Sequence, residues 1–306
     1  MKAYVKDIEK DEIRSGFLVT TDRKKIWNKE IELLLEVDRI CKKHDIKYFA
    51  FFGTMLGAAR HKGFIPWDDD IDVAMMRPDY MRFLDVAKQE IKSPYFFKNI
   101  YTDNRIFHFS KLMDDTTSAI EFLNEKNIHQ GMFVDIFPLD VVHDGTKRAE
   151  IIDAMCRELW MCFLTPDLVV EGLKNGVTTN VNRHTLERII ELPIRERMKT
   201  YEDFCLNHFD DSSEIGLQPP FWCGDFGKYP KEWFKEVLYM DFETIKVPLA
   251  SEYESILAVD YNDWRVPKNV PSSHELNLMS VDISYKEMMT QINRDLLQCG
   301  EYLWNN

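Results

Sequence analysis

Long apolar runs are missing from this sequence. No uninterrupted stretch approaches the ~18 residues that a bilayer-crossing helix requires, so no membrane span is expected. The opening stretch MKAYVKDIEKDEIRSG lacks the apolar core of a secretory signal, and a cytoplasmic protein is expected. Cysteines are sparse: Cys41, Cys156, Cys162, Cys205, Cys223 and Cys299 lie scattered, and none forms a CxxC pair. That spacing argues against a zinc knuckle or a disulfide framework and for buried reduced thiols. An excess of positive charge is absent too, since 39 Lys and Arg face 52 Asp and Glu, for a net charge of −13 and a pI near 5.2. Broad contact with nucleic-acid phosphates is not expected of such a chain. Repeats and low-complexity linkers are missing as well. What remains is 306 residues, 45% hydrophobic and 30% charged, which can bury one large core or two smaller ones.

Periodicity outlines the elements. DRKKIWNKEIELLLEVDRICKKHDI spaces Ile26, Trp27, Ile31, Leu34, Leu35, Val37, Ile40 and Cys41 as in an amphipathic helix. KYFAFF reads as a short buried strand ending at Gly53, and TMLGAAR as a helix opening on Thr54. IDVAMM reads as a strand, and PDYMRFLDVAKQEI as a helix with proline at its start. YFFKNIY, IFHFSKLM, SAIEFL and GMFVDIF are strand-like. After LDVVHDGTK the texture turns helical, through KRAEIIDAMCRELWMCFL and a second segment interrupted by Pro193. The expected fold is α+β, a mixed β-sheet core flanked by helices with an added helical region. Residues 1–140 would form the core and 141–306 the mostly helical remainder with a mixed segment, across a soft boundary compatible with a single domain.

The chemistry concentrates in FIPWDDDIDVAMM, where four aspartates, Asp68, Asp69, Asp70 and Asp72, fall within five positions and run straight into apolar sequence. A solvated acidic loop is the ordinary fate of such a run, but Trp67 and IDVAMM hold this one against the core. A calcium loop starting at Asp68 fails because its sixth position needs glycine and is Val73. A DxD that ends an apolar strand does not fit either, because here the apolar residues follow the acids. In a strand beginning at Asp70, alternation puts Asp70 and Asp72 on one face, with Cα atoms about 7 Å apart. Oxygen ligands of that kind suit Mg²⁺ or Mn²⁺ better than zinc.

Seventeen residues before Asp70, FFGTMLG places Gly53 where backbone can approach a ligand and opens a helix whose N–H groups favour an anion. In GMFVDIF, Asp135 is the sole charge in an apolar strand, costly unless paired or metal-bound. Asp140, just past Pro138, reads as a loop or cap residue.

FFGTMLGAARHKGFIPWDDDIDV, followed by FSKLMDDTT, MFVDIFPLD and FETIKVPLASEYESILAVDYNDWRVP, resembles the LicD/fukutin-related phosphotransferases, which have the nucleotidyltransferase fold. Asn262 stands where that family commonly has glycine. The resemblance implies transfer of a substituted phosphate, phosphocholine from CDP-choline being the best-known case, onto a hydroxyl of a glycan such as teichoic acid or lipopolysaccharide, with release of CMP. Ribitol phosphate is another cargo consistent with it. Asp70, Asp72 and Asp135 become the expected catalytic residues and Mg²⁺ (or Mn²⁺) ligands, with Asp70 or Asp135 as base. Gly53, Thr54, Arg60, Lys62 and Lys111 are the expected donor-phosphate contacts, and Asp68 and Asp69 orient the metal ligands or cap a turn. Trp67, Tyr101, Trp222, Tyr261 and Trp264 are candidates for an aromatic cage around a quaternary ammonium. His274 is a further candidate for the site. A lipid-linked acceptor would bring peripheral contact with the inner face of a bacterial membrane. The rival readings are a nucleotidyltransferase acting on a small molecule and a non-catalytic binding protein of the same fold.

Overall fold

The computed structural model describes residues 2–104, 107–125, 127–218, 227–268 and 278–304, the last nine of these as backbone only. The chain begins with a hairpin, β1 (Glu12–Arg14) and β2 (Phe17–Val19), and a long helix, α1 (Thr21–Lys43). Thr20 caps α1 by accepting the Arg23 N–H, and the apolar stripe read from the sequence is buried except at Leu35, which is half-buried. There follow β3 (Phe49–Ala50), α2 (Phe52–His61), β4 (Asp72–Met76), α3 (Arg77–Glu90), β5 (Tyr95–Lys98), β6 (Ser110–Asp114), β7 (Ser118–Ala119) and β8 (Met132–Val142). Helices α4 (Lys147–Leu164), α5 (Pro166–Lys174), α6 (Arg183–Ile190) and α7 (Ile194–Asn207) form the helical middle, with Pro193 at the N-cap of α7. Strands β9 (Glu214–Gly216), β10 (Lys228–Pro230), β11 (Val237–Phe242) and β12 (Ile245–Ala250), then α8 (Tyr253–Tyr261), β13 (Met279–Ser280) and α9 (Tyr285–Trp304), complete the chain.

The central sheet runs β10–β9–β8–β4–β3, with β6 and then β5 joined to the first half of β8. Strands β4 and β8 pair in parallel, and the neighbouring pairs are antiparallel, so the sheet is mixed and the fold is α+β as expected. Strand β8 is the spine. Its first half lies between β6 and β4, and its end pairs with β9 beside the helical middle.

One large apolar core packs α1, α2, α3 and α8 against the sheet; a second forms among α4, α6 and α7 with Val141 of β8. Asp140 joins the two. It is a fully buried strand residue rather than a loop or cap, and the Arg77 guanidinium donates to both its oxygens at 2.6 and 2.5 Å. Tyr201 of α7 donates to the same carboxylate, and Glu202 lies 3.7 Å from Arg77. Removing one partner of such a pair strands a buried charge, which costs about 3–5 kcal/mol. Arg77→Leu should therefore lower unfolding free energy by about that amount in denaturant titrations, and adding Asp140→Leu should recover part of it.

Candidate active site

The acidic run lies at the mouth of β4. The strand opens at Asp72 rather than Asp70, so Asp68, Asp69 and Asp70 form the turn that enters it. Helix α1 backs that turn. Arg23 Nη1 and Trp27 Nε1 both donate to the Asp68 carbonyl, at 2.7 and 2.9 Å. Trp27 is itself stacked on Phe64, with ring centroids 4.7 Å apart. These contacts hold the backbone of the turn rather than its carboxylates.

Among the described residues, Asp68, Asp69 and Asp70 are the carboxylates that bring oxygens within 4.8 Å of one another. The expected ligand set of Asp70, Asp72 and Asp135 is thus rearranged: Asp68 and Asp69 join Asp70 directly. Burial, the Asp70 charge and a hydrogen bond between the two side chains push Asp68 up to about 8. Burial and the charges of Asp70 and Asp135 raise Asp72 well above the usual carboxylate range. Oxygen-only donors crowded until they retain protons suit a hard divalent cation.

Asp72 and Asp135 are paired residues on parallel strands, so their side chains share a face of the sheet. Lys111 pairs with Asp135 on the other side, and Lys98 with Lys111. Two buried cations and two buried anions therefore form one row across β5, β6, β8 and β4. The Lys111 ammonium lies 3.3 Å from Asp135 and 3.0 Å from Glu121. Burial outweighs the Lys111 charge and holds Asp135 up at about 7.

A cavity of about 610 Å³ opens in front of the acids. Gly53, Asp68, Asp70 and Asp72 line it together with Arg60, Trp67, Tyr261, Trp264 and Lys268. Helix α2 starts at Phe52, two residues earlier than the sequence suggested, and Phe52 takes φ +40, a left-handed backbone that a phenylalanine rarely adopts. A Cβ on Gly53 would lie 2.4 Å from Asp68 Oδ2, so glycine is what lets this carboxylate reach the helix start. The Thr54 hydroxyl, expected on a phosphate, is buried and accepts the Asp72 N–H at 2.8 Å, which fixes the acid instead. Arg60 lines the cavity as expected, its guanidinium donating to the Trp264 carbonyl and to His61.

Several expected contacts lie elsewhere. Lys62 is an exposed left-handed cap of α2 whose carbonyl accepts the Glu243 N–H, and it does not reach the cavity wall. Lys111 is 2% exposed and committed to Glu121 and Asp135 behind that wall. Tyr101 donates to Glu202 at the helical middle, far in sequence from any cage residue. Trp67, Tyr261 and Trp264 do come together at the cavity, while Trp222 and His274 fall outside the described residues. Asn262 takes φ +56 at the end of α8, the conformation for which glycine is ordinarily chosen.

Sequence reasoning missed Glu30, Asp260, Asp263 and Lys268. The last three line the cavity, and Tyr229 donates to Asp260 at 2.7 Å. Their signal was present in AVDYNDWRVPK, where acids interleave with aromatics, yet nothing in the spacing ties that segment to β4. Glu30 had no such signal: it sits inside an ordinary amphipathic pattern and is 1% exposed.

The LicD/FKTN/FKRP nucleotidyltransferase-domain family matches residues 45–162, a span that holds Gly53, all four clustered aspartates and Asp135. Over residues 45–162 the chain is similar to a LicD-family nucleotidyltransferase domain. The lipopolysaccharide cholinephosphotransferase LicD of Haemophilus influenzae is 29% identical over 242 residues, covering 74% of this chain and 84% of that protein. An uncharacterized protein of Rickettsia typhi is 37% identical over 114 residues, 37% of this chain and 35% of its own. A second, from Rickettsia prowazekii, is 38% identical over 58 residues, 19% of this chain and 22% of its own. The LicD-family match ends inside α4, so the Tyr261–Lys268 wall of the cavity comes from sequence beyond it.

Two outcomes are expected at this site. Folded chain keeps protons on Asp135 to about pH 7 and on Asp68 to about pH 8, against an ordinary value of 3.8. Unfolded chain has by then released them, so stability falls as pH rises. His61 and His108, held down to about 4 by burial, act in the opposite sense only below 6.5. Melting temperature without divalent cation should therefore drop between about pH 6.5 and 8, and saturating Mn²⁺ should abolish the drop by displacing those protons. Gly53→Ala should weaken Mn²⁺ binding by about 10–100-fold in isothermal titration by displacing the Asp68 carboxylate.

Proposed function

We propose that this chain is a divalent-cation-dependent phosphotransferase that moves a substituted phosphate from a CDP-activated donor onto a hydroxyl of a cell-surface glycan precursor, releasing CMP. The observation that carries this reading is one cavity lined by the clustered carboxylates together with aromatic and basic side chains. Mg²⁺ or Mn²⁺ fits the carboxylate wall because its donors are all oxygen, lie close together and retain protons that a cation would replace. Asp70 and Asp72, with Asp68 beside them, would hold it. Bound there, such an ion supplies positive charge to the donor's phosphates and to the leaving oxygen.

The chain's own groups do the rest. The opening turn of α2 has N–H groups without helical partners, and Gly53 exposes them to the cavity, a setting that receives phosphate oxygens. Arg60 and Lys268 add positive charge to the cavity lining. Trp67, Tyr261 and Trp264, with Asp260 and Asp263 beside them, suit a quaternary ammonium and so support phosphocholine as cargo. Asp70 faces the cavity, whereas Asp135 sits behind its wall against Lys111, which favours Asp70 as the base that takes the acceptor proton. Among the described residues no helix is long and apolar enough to cross a membrane. A lipid-linked teichoic acid or lipopolysaccharide precursor would then be met at the membrane surface.

Incubation with CDP-choline, Mg²⁺ and a glycan acceptor should release CMP and label the acceptor with phosphocholine. Asp72→Asn should slow this roughly a thousandfold, the loss of several kcal/mol of charge stabilisation. Pyrophosphate appearing from CTP, with no CMP from CDP-choline, would mark a nucleotidyltransferase instead.

A further inference from the structure

A CDP-activated donor presents three parts: a diphosphate, a cargo and a nucleobase. The acids and the start of α2 suit the first, and Trp67, Tyr261 and Trp264 the second. Phe52 lines the same cavity, and its backbone is strained. At φ +40 a Cβ meets steric resistance that glycine escapes, so a bulky residue is kept there only against that resistance. Strain of this kind gathers where a side chain is presented to a ligand. Phe51, one position earlier, is fully buried in the core, whereas Phe52 is half-buried and lines the cavity.

Other rings brace this one. Phe137 meets it edge to face, with centroids 5.7 Å apart, and Phe109 lies 4.6 Å from Phe137. All three are half-buried. Phe137 follows Asp135 by two positions on β8, so it shares that acid's face of the sheet about 7 Å further along. An aromatic row thus runs beside the acidic one. The ring neighbours of Phe52 are Phe51 and Phe137, whereas Tyr261 and Trp264 stand next in sequence to Asp260 and Asp263. Acids draw a cation to the second setting, and a neutral planar group fits the first.

We propose that Phe52 is the platform on which the pyrimidine base of the donor stacks, one residue before the helix start that receives its phosphates. The assignment rests on the CDP-donor reading and adds what holds the nucleoside end. Neighbouring residues then hold the two ends of the nucleotide, the ring of Phe52 its base and the backbone at Gly53 its phosphates. Stacking uses the face of a base and not its edge, so Phe52 holds cytosine and uracil alike. A ring already fixed by Phe137 loses little freedom when the base arrives.

Isothermal titration of the purified full chain with CMP and with ribose 5-phosphate, both in the presence of Mg²⁺, tests it. Wild type should bind CMP more tightly than ribose 5-phosphate. Phe52→Leu should weaken CMP binding about 5–150-fold, the effect of losing one base–aromatic stack, and leave ribose 5-phosphate unchanged. Phe52→Tyr keeps a ring and should keep the affinity. Phe52→Gly suits the left-handed backbone and should lose CMP affinity as the leucine variant does, which keeps the test open if leucine disturbs the turn. A chain that transfers no phosphate group from CDP-choline, yet binds CMP through Phe52, would sink the donor reading and leave the platform standing. CMP affinity that is equal in wild type, Phe52→Leu and Phe52→Gly, or no better than that for ribose 5-phosphate, would overturn the platform, whether or not CDP-choline still serves as donor.

Discussion

Like charge held together out of water is the constraint around which this structure is arranged. Asp68, Asp69, Asp70 and Asp72 repel one another, and Asp69 and Asp72 are buried. Within the run the Asp69 N–H donates to Asp68 Oδ1. The fold fixes the backbone around it: α1 grips the Asp68 carbonyl, Thr54 holds the Asp72 amide, and the strained start of α2 brings Gly53 under the Asp68 carboxylate. The repulsion is thus held in fixed surroundings, and the divalent cation of the proposed function would relieve it. Preorganised charge of this kind needs no rearrangement at the moment it is used.

The sheet extends the same logic. Its row of Lys98, Lys111, Asp135 and Asp72 alternates no charges at random, since the lysines lie on one side and the acids on the side that faces the turn. Lys111 lies 3.3 Å from Asp135, while Asp72, on the neighbouring strand, lines the cavity and would meet the cation of the proposed function. The result is a graded field, paired and closed at β6, open at β4. An anionic donor would enter at the open end.

Strand β8 carries this arrangement to the rest of the molecule. Asp135 stands in its first half, beside the site, and Asp140 in its second half, where Arg77, Tyr201 and Glu202 lock α3 to α7. Two aspartates five positions apart on one strand therefore link the acidic row to the anchor of the helical middle. Meanwhile α8 and the segment after it return to the first core and close the cavity with Tyr261, Trp264 and Lys268. The two cores are separate, but the site draws on sequence from both sides of the helical insertion.

By itself the sequence determined what depends on neighbours along the chain. The amphipathic stripe of α1, the glycine at the start of α2, the acid-rich entry to β4 and the lone acid of β8 all follow from spacing and composition, because periodicity reports which face is buried. Tertiary structure alone decided which of those groups meet. Strand register set Asp135 between Lys111 and Asp72, and so removed Lys111 from the cavity. Helix packing turned Glu30 from one polar residue in a regular pattern into a buried acid. Distances between segments hundreds of residues apart carry no local signal, and electrostatic coupling depends on those distances.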